Sequence, residues 1–68
     1  MYRLSFLQQE IIKELTRCNA CYSNPISSFA LSRTLNVTPA YIRRNITKLK
    51  AVKMVGVRRG LRGGFFLI

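Results

Sequence analysis

Histidine and tryptophan are absent, the only acids are Glu10 and Glu14, and proline occurs twice, at Pro25 and Pro39. Each scarcity closes off a class of function. Without histidine the commonest general base is missing, and two glutamates four residues apart on one helix face read as surface residues rather than as a catalytic pair. An enzyme is therefore not expected. Cysteine is limited to Cys18 and Cys21, a lone C-x-x-C in TRCNACYSN. Structural zinc needs four ligands where one chain offers two, and redox chemistry would want a βαβ context that the pattern does not give. The expectation is a pair of reduced thiols at a helix end, with a disulfide, an intersubunit metal or a redox switch as alternatives, and no cofactor. Long hydrophobic runs are missing as well. No segment approaches the roughly 18 apolar residues that span a bilayer. The stretch from Met1 to Leu15 is interrupted by Gln8, Gln9 and Glu10 before it could act as a leader. A cytoplasmic protein without a membrane partner is expected, nucleoid-associated, or in the host cytoplasm if viral.

What is abundant is positive charge. Twelve Lys and Arg against two acids give a formal net charge of +10, and 49% apolar residues argue for a folded body rather than a basic tail. That balance costs self-repulsion on folding, which a polyanion relieves. The distribution is sharper than the total: between Arg33 and Arg62 lie nine cations and no acid. The N-terminal part reads as structural and the rest as a binding surface. With 68 residues there is room for one domain, spanning 1–68, and a small core.

Ser5 with Gln8 forms a capping-box signature, and Leu7, Ile11, Leu15 and Cys18 then recur at helical spacing with Ile12 alongside. Gln8, Gln9, Lys13, Glu14 and Arg17 take the other face. This predicts a first helix over about 6–18, ended by NACYSNP. A second helix is expected over about 27–35, with Ile26, Phe29 or Ala30, Leu31 and Leu35 as its apolar side. Asn36 tolerates the left-handed conformation that ends helices, Val37 can drop into the core, Thr38 is a good N-cap and Pro39 suits the first helical position. The third helix, about 39–52, turns Ile42, Ile46 and Leu49 inward with Asn45 at the edge. Ala40, Arg43, Arg44, Thr47, Lys48 and Ala51 fall on the opposite side. The remainder, about 53–68, reads as strand, turn, strand: KMVGVR, RGLRGG, FFLI. Phe65 and Leu67 would share one strand face and Phe66 and Ile68 the other, the second needing a partner from helix 1 or another subunit.

Helix, short turn and basic amphipathic helix make a helix-turn-helix, and a following hairpin makes the winged form. The fold class is mainly α with a small β-hairpin, three helices plus a wing. The second helix of such a unit enters the major groove of duplex DNA. Expected DNA contacts are Thr38, Ala40, Tyr41, Arg43, Arg44, Thr47 and Lys48 on that helix, Tyr41 either packing on the flank or reaching a phosphate. Arg58, Arg59 and Arg62 on the wing would meet phosphates or the minor groove. Gly60, Gly63 and Gly64 allow the turn.

On these residues the sequence from Ile26 to Ile68 resembles the winged helix-turn-helix regulators, and most closely the DNA-binding part of the iron–sulfur cluster assembly repressor family. Leu31-Ser32, Asn36-Val37-Thr38-Pro39 and Arg59-Gly60-Leu61-Arg62-Gly63-Gly64-Phe65-Phe66-Leu67 stand where that family has its helix pair, its turn and its Arg-Gly-x-x-Gly-Gly wing. That family has a long dimerisation helix after the wing and cluster-binding cysteines near it. Neither has a counterpart here, and Cys18 and Cys21 lie elsewhere, so cluster sensing is not implied. The small size is similar to regulators of phages, archaeal viruses and plasmids.

The resemblance implies a sequence-specific transcription regulator, a repressor, bound as a homodimer to a palindromic site in double-stranded DNA. Two other readings remain open. One is a non-specific or architectural DNA-binding protein acting in replication, recombination or genome packaging. The other is a basic winged-helix module that inhibits a host protein or binds RNA.

Overall fold

The computed structural model describes residues 3–60 and 62–68. Three helices, α1 (Phe6–Arg17), α2 (Ser28–Leu35) and α3 (Pro39–Ala51), precede a hairpin of β1 (Val55–Arg58) and β2 (Gly64–Leu67). This is the winged helix-turn-helix arrangement, in a body 32 × 24 × 20 Å. Among the described residues no helix is long and apolar enough to cross a membrane.

Local chemistry sets the helix ends. Ser5 Oγ accepts the Gln8 amide at 3.2 Å while Gln8 Oε1 accepts the Ser5 amide at 3.1 Å, a complete capping box. The helix stops one residue short of the expected end: Cys18 is its C-cap and Asn19 turns left-handed at φ 54°. The amides of Asn19 and Ala20 then return to the carbonyls of Thr16 and Leu15. Ser27 caps α2 rather than beginning it, and its hydroxyl accepts the Ala30 amide at 3.1 Å. Asn36 ends α2 at φ 58°, ψ 45°, and two residues later Thr38 caps α3 with Pro39 in its first turn. The sharp bend between α2 and α3 is thus written in four consecutive residues.

The core is a single cluster in which Ile11, Leu15, Leu31, Ile42, Leu49 and Val55 are fully buried, with Ile46 and Phe65 beside them. At about 1.5–3 kcal/mol for each fully buried large side chain, these few residues carry most of the apolar stabilisation. Leu7, Ile12, Leu35 and Val37 are half-buried around them.

Antiparallel pairing sets Val55 opposite Leu67, Gly56 opposite Phe66 and Val57 opposite Phe65. On its far edge β2 pairs again: Ile26 and Phe65 exchange both backbone bonds, at 2.9 and 2.8 Å, and the Leu67 amide reaches the Ala20 carbonyl at 3.4 Å. Strand β2 is therefore central, stitched to the segment before α2. The close approach requires Gly64, since a Cβ there would lie 2.6 Å from the Ile26 carbonyl.

Three expectations from periodicity are corrected. Gln8, placed on the outer face of α1, is buried at 3% exposure, and its Nε2 donates to Oδ1 of Asn45 at 3.2 Å. Asn45, expected at an edge, is buried too, its Nδ2 donating to the Tyr41 carbonyl at 3.0 Å. Together they form a polar tie between α1 and α3, satisfied internally as burial demands. Phe29, one of two alternatives for the apolar side of α2, is 67% exposed, and Ala30 is exposed as well, because Leu31 and Ser32 take the inward positions. The second strand face is covered in part from within the chain. Phe66 lies across Gly56 and meets the Tyr22 ring edge-on at 5.7 Å between centroids, while Ile68 stays exposed.

Candidate nucleic-acid interface

Helix α3 is amphipathic in the strict sense that its two sides have opposite tasks. Ile42, Asn45, Ile46 and Leu49 are buried, and the intervening Ala40, Arg43, Arg44, Thr47 and Lys48 are exposed. Thr38 presents the N-terminus of this face, its Oγ1 accepting the Tyr41 amide at 3.2 Å. The helix is thereby fixed at its start, by the cap, and along its inner side, by the core. Its outer side is left to water and to whatever binds there.

Not all of the expected contact residues stand equally free. The Thr47 hydroxyl donates to the Arg43 carbonyl at 3.0 Å, so its lone pairs are left to accept, and it must rotate away before it could donate to a base. Tyr41 is 48% exposed and lines a groove with Phe6, Leu7, Leu35 and Val37, which puts it on the flank of the face. Among the described residues the ion pairs are confined to α1: Glu10 with Lys13 at 3.8 Å, and Glu14 with Arg17. The Arg17 hydrogen bond holds the Glu14 carboxyl below the usual carboxylate range. Both acids are thus paired within α1, and neither forms an ion pair with a cation of α3.

The wing adds a second basic element. Its tip folds by a bond from the Gly63 amide to the Gly60 carbonyl at 3.0 Å, with Gly60 at φ +115°, a conformation for which glycine is required. Arg59 and Arg62 are exposed at this tip. Leu61, between them, lies outside the described residues. Arg58 is placed differently: Nη1 donates to the Tyr22 carbonyl at 3.0 Å and Cζ sits 5.0 Å from the Tyr22 ring centroid. Its guanidinium is held by a cation–π contact and a hydrogen bond on the side of the wing.

Tyr22 is the residue that sequence reasoning missed. It joins Arg58 of β1 and Phe66 of β2 to the turn after α1, and so sets the wing's attitude. A turn aromatic carries no periodicity, and only the pairing of strands brings its partners together. The C-x-x-C flanks it. Both thiols are free: Cys18 donates to Glu14 Oε2 at 3.4 Å, which raises its pKa, and Cys21 is exposed beside the Ser23 hydroxyl, which lowers its own. Among the described residues no cluster of three or more metal-ligating side chains occurs.

Residues 3–66 match the family described as winged helix-turn-helix transcription repressor, HrcA DNA-binding. Solved structures show the same fold. CymR, the global cysteine regulator of B. subtilis, superposes with a TM-score of 0.76 at 24% identity, covering 98% of this chain and 53% of that one. A Listeria innocua protein assigned as a transcriptional regulator gives 0.77 at 24% identity, with 96% and 46% covered. IscR of T. potens gives 0.72 at 18% identity, with 97% and 49% covered, in keeping with the resemblance drawn from the turn and wing. The chain spans about half the length of these structures. No curated protein matches it.

Proposed function

The chain belongs to the HrcA winged helix-turn-helix DNA-binding family, and from that premise we propose that it is a sequence-specific repressor that lays α3 in the major groove of duplex DNA. The family membership makes it a DNA-binding module of transcription regulation. The finer reading rests on one observation: Arg43, Arg44, Thr47 and Lys48 project from a rigid helix whose other side is wholly core. An arginine so placed can pair with guanine O6 and N7, worth about 1–3 kcal/mol of discrimination. Thr38, Ala40 and Tyr41 border the same face and would fit it to the backbone. Arg59 and Arg62 reach phosphates or the adjoining minor groove, and Arg58 supports the wing from its side.

The test is fluorescence-anisotropy binding to a fragment from upstream of the protein's own gene and to scrambled DNA of the same length, each titrated with salt. A preference of about a thousandfold or more at physiological salt is expected. Arg44→Ala should weaken the preferred site more than random DNA, whereas Arg62→Ala should weaken both alike and flatten the salt slope by about one unit. Equal losses from the two changes, with no site preference in the wild type, would refute base reading by α3. That outcome would favour the architectural alternative, which the cations between Arg33 and Arg62 could serve through counterion release alone.

A further inference from the structure

We propose that Tyr22 and Arg58 are a positioning pair for DNA binding: Tyr22, which lies in neither α3 nor the hairpin, holds Arg58 so that the wing presents Arg59 and Arg62, and Arg58 meets Tyr22 in place of a phosphate. This rests on the DNA-binding reading and names the residues that make the wing effective.

The hairpin needs such a hold. Its strands have four residues each, and a lone two-stranded hairpin is marginal in water. The core anchors its base, where the fully buried Val55 pairs with Leu67. Further out, Phe65 pairs with Val57 on one side and bridges to Ile26 on the other. The outermost pair is Arg58 with Gly64, directly before Arg59 and the tip. There Ile26 lies against Gly64 on β2, and Tyr22 takes Arg58 on β1. The segment between α1 and α2 thus grips both strands at their last pair.

One ring serves the two strands. The Arg58 guanidinium carbon sits 5.0 Å from the Tyr22 ring centroid, its Nη1 donates to the Tyr22 carbonyl at 3.0 Å, and Phe66 meets the same ring edge-on. Burial does not account for Tyr22, which is 64% exposed and so removes little apolar area from water. Its contribution lies in what it holds. Arg58 is half-buried where Arg59 and Arg62 are exposed. To reach a phosphate, Arg58 would have to leave both the ring and the carbonyl. A tip without this hold can swing, and its arginines must then be ordered as they meet DNA, which weakens each contact.

A double-mutant cycle in DNA affinity tests the proposal, read by fluorescence anisotropy on the upstream fragment well below the melting midpoint. Arg62→Ala is introduced into the wild type, Tyr22→Leu and Arg58→Met. Its effect should shrink by about threefold or more in both variant backgrounds, because an unheld tip gains less from Arg62. Tyr22→Phe keeps the ring and the carbonyl and should restore the full effect. An Arg62→Ala effect equal in all backgrounds would overturn the proposal. So would a Tyr22→Phe protein as defective as Tyr22→Leu, since the hydroxyl would then be the group that matters. The free protein supplies a second readout. Exchange of the Gly63 amide, which bonds the Gly60 carbonyl across the tip, should quicken by about threefold or more in Tyr22→Leu and Arg58→Met but not in Tyr22→Phe. Unchanged exchange in both variants would likewise overturn the pair. The two readings fail separately. A wild type that binds DNA with an additive cycle loses only the positioning pair. A wild type without DNA affinity loses the repressor reading, and the pair's part in binding with it, even where tip exchange responds.

Discussion

Gly56 is expected to be irreplaceable because of what lies over it. A Cβ at this position would sit 2.6 Å from Cε2 of Phe66 and 3.1 Å from Cε1, well inside van der Waals contact. The ring is restrained by its edge-on contact with Tyr22, and Tyr22 is itself fixed to Arg58 through ring and carbonyl. Overpacking of this kind costs about 1–3 kcal/mol. Replacing glycine in a strand gives back about 0.4–1 kcal/mol through the unfolded chain. Gly56→Ala should therefore destabilise by about 1–2 kcal/mol, which for a domain of this size lowers the melting midpoint by about 4–16 °C. The assay is thermal unfolding followed by circular dichroism, repeated in a Phe66→Ala background. With the ring gone, Gly56→Ala should become neutral or slightly stabilising, so the coupling between the two positions exceeds about 1 kcal/mol. An equal loss in both backgrounds would refute the argument, because the cost would then lie in the backbone and not in the ring.

The buried tie between α1 and α3 gives a second prediction. Asn45→Leu removes the acceptor of the Gln8 amide and should cost about 1–3 kcal/mol, and Gln8→Met added to it should cost less than the sum of the single changes in urea unfolding. Strict additivity would show that the two side chains do not act as a pair. Lys53 sits at φ 62° just past the C-cap of α3, its amide and that of Met54 returning to Lys50 and Leu49. Lys53→Gly should relieve about 1 kcal/mol of left-handed strain, less the larger entropy of the unfolded glycine, and raise the melting midpoint by a few degrees; a lower midpoint would contradict this. Glu14 supplies a pH dependence. Its folded pKa is lowered from 4.5 by the Arg17 hydrogen bond, so its contribution is complete above that value and disappears as pH falls through the folded pKa. The stability gap between wild type and Glu14→Gln should shrink on acidification, and a gap that is constant with pH would discount the pair.

The parts of the fold that sequence made legible are those decided by neighbours in the chain. Ser5 with Gln8, and Asn36 through Pro39, carry their own geometry, so the helix boundaries and the sharp turn could be read from spacing and residue type. The outward face of α3 was equally plain, because its apolar positions repeat at intervals of four and three. Gln8 misled for the same reason: amphipathic sorting sends an amide outward, and only the facing Asn45, 37 positions away, gives it a buried partner. Tyr22 was beyond local reasoning altogether. Ile26, expected on the apolar side of α2, packs against the core from before that helix as the bridge partner of Phe65. Each is defined by the strand that returns to it. The exposed, basic side of α3 was nameable as a set, but the separation of Arg58 from Arg59 and Arg62 depends on the ring of Tyr22.

The central place of β2 has a consequence for how the molecule comes into being. Synthesis proceeds from the N-terminus, yet the strand that joins Ile26 on one edge to β1 on the other is the last of the five elements to be made. Until Phe65 emerges, the three helices have their caps and turns but lack the strand that closes them together. Pairing Ile26 with Phe65 spans most of the chain, the kind of distant contact that slows folding. The basic face of α3 is thus made before the wing, and the two basic elements stand together only once β2 has paired.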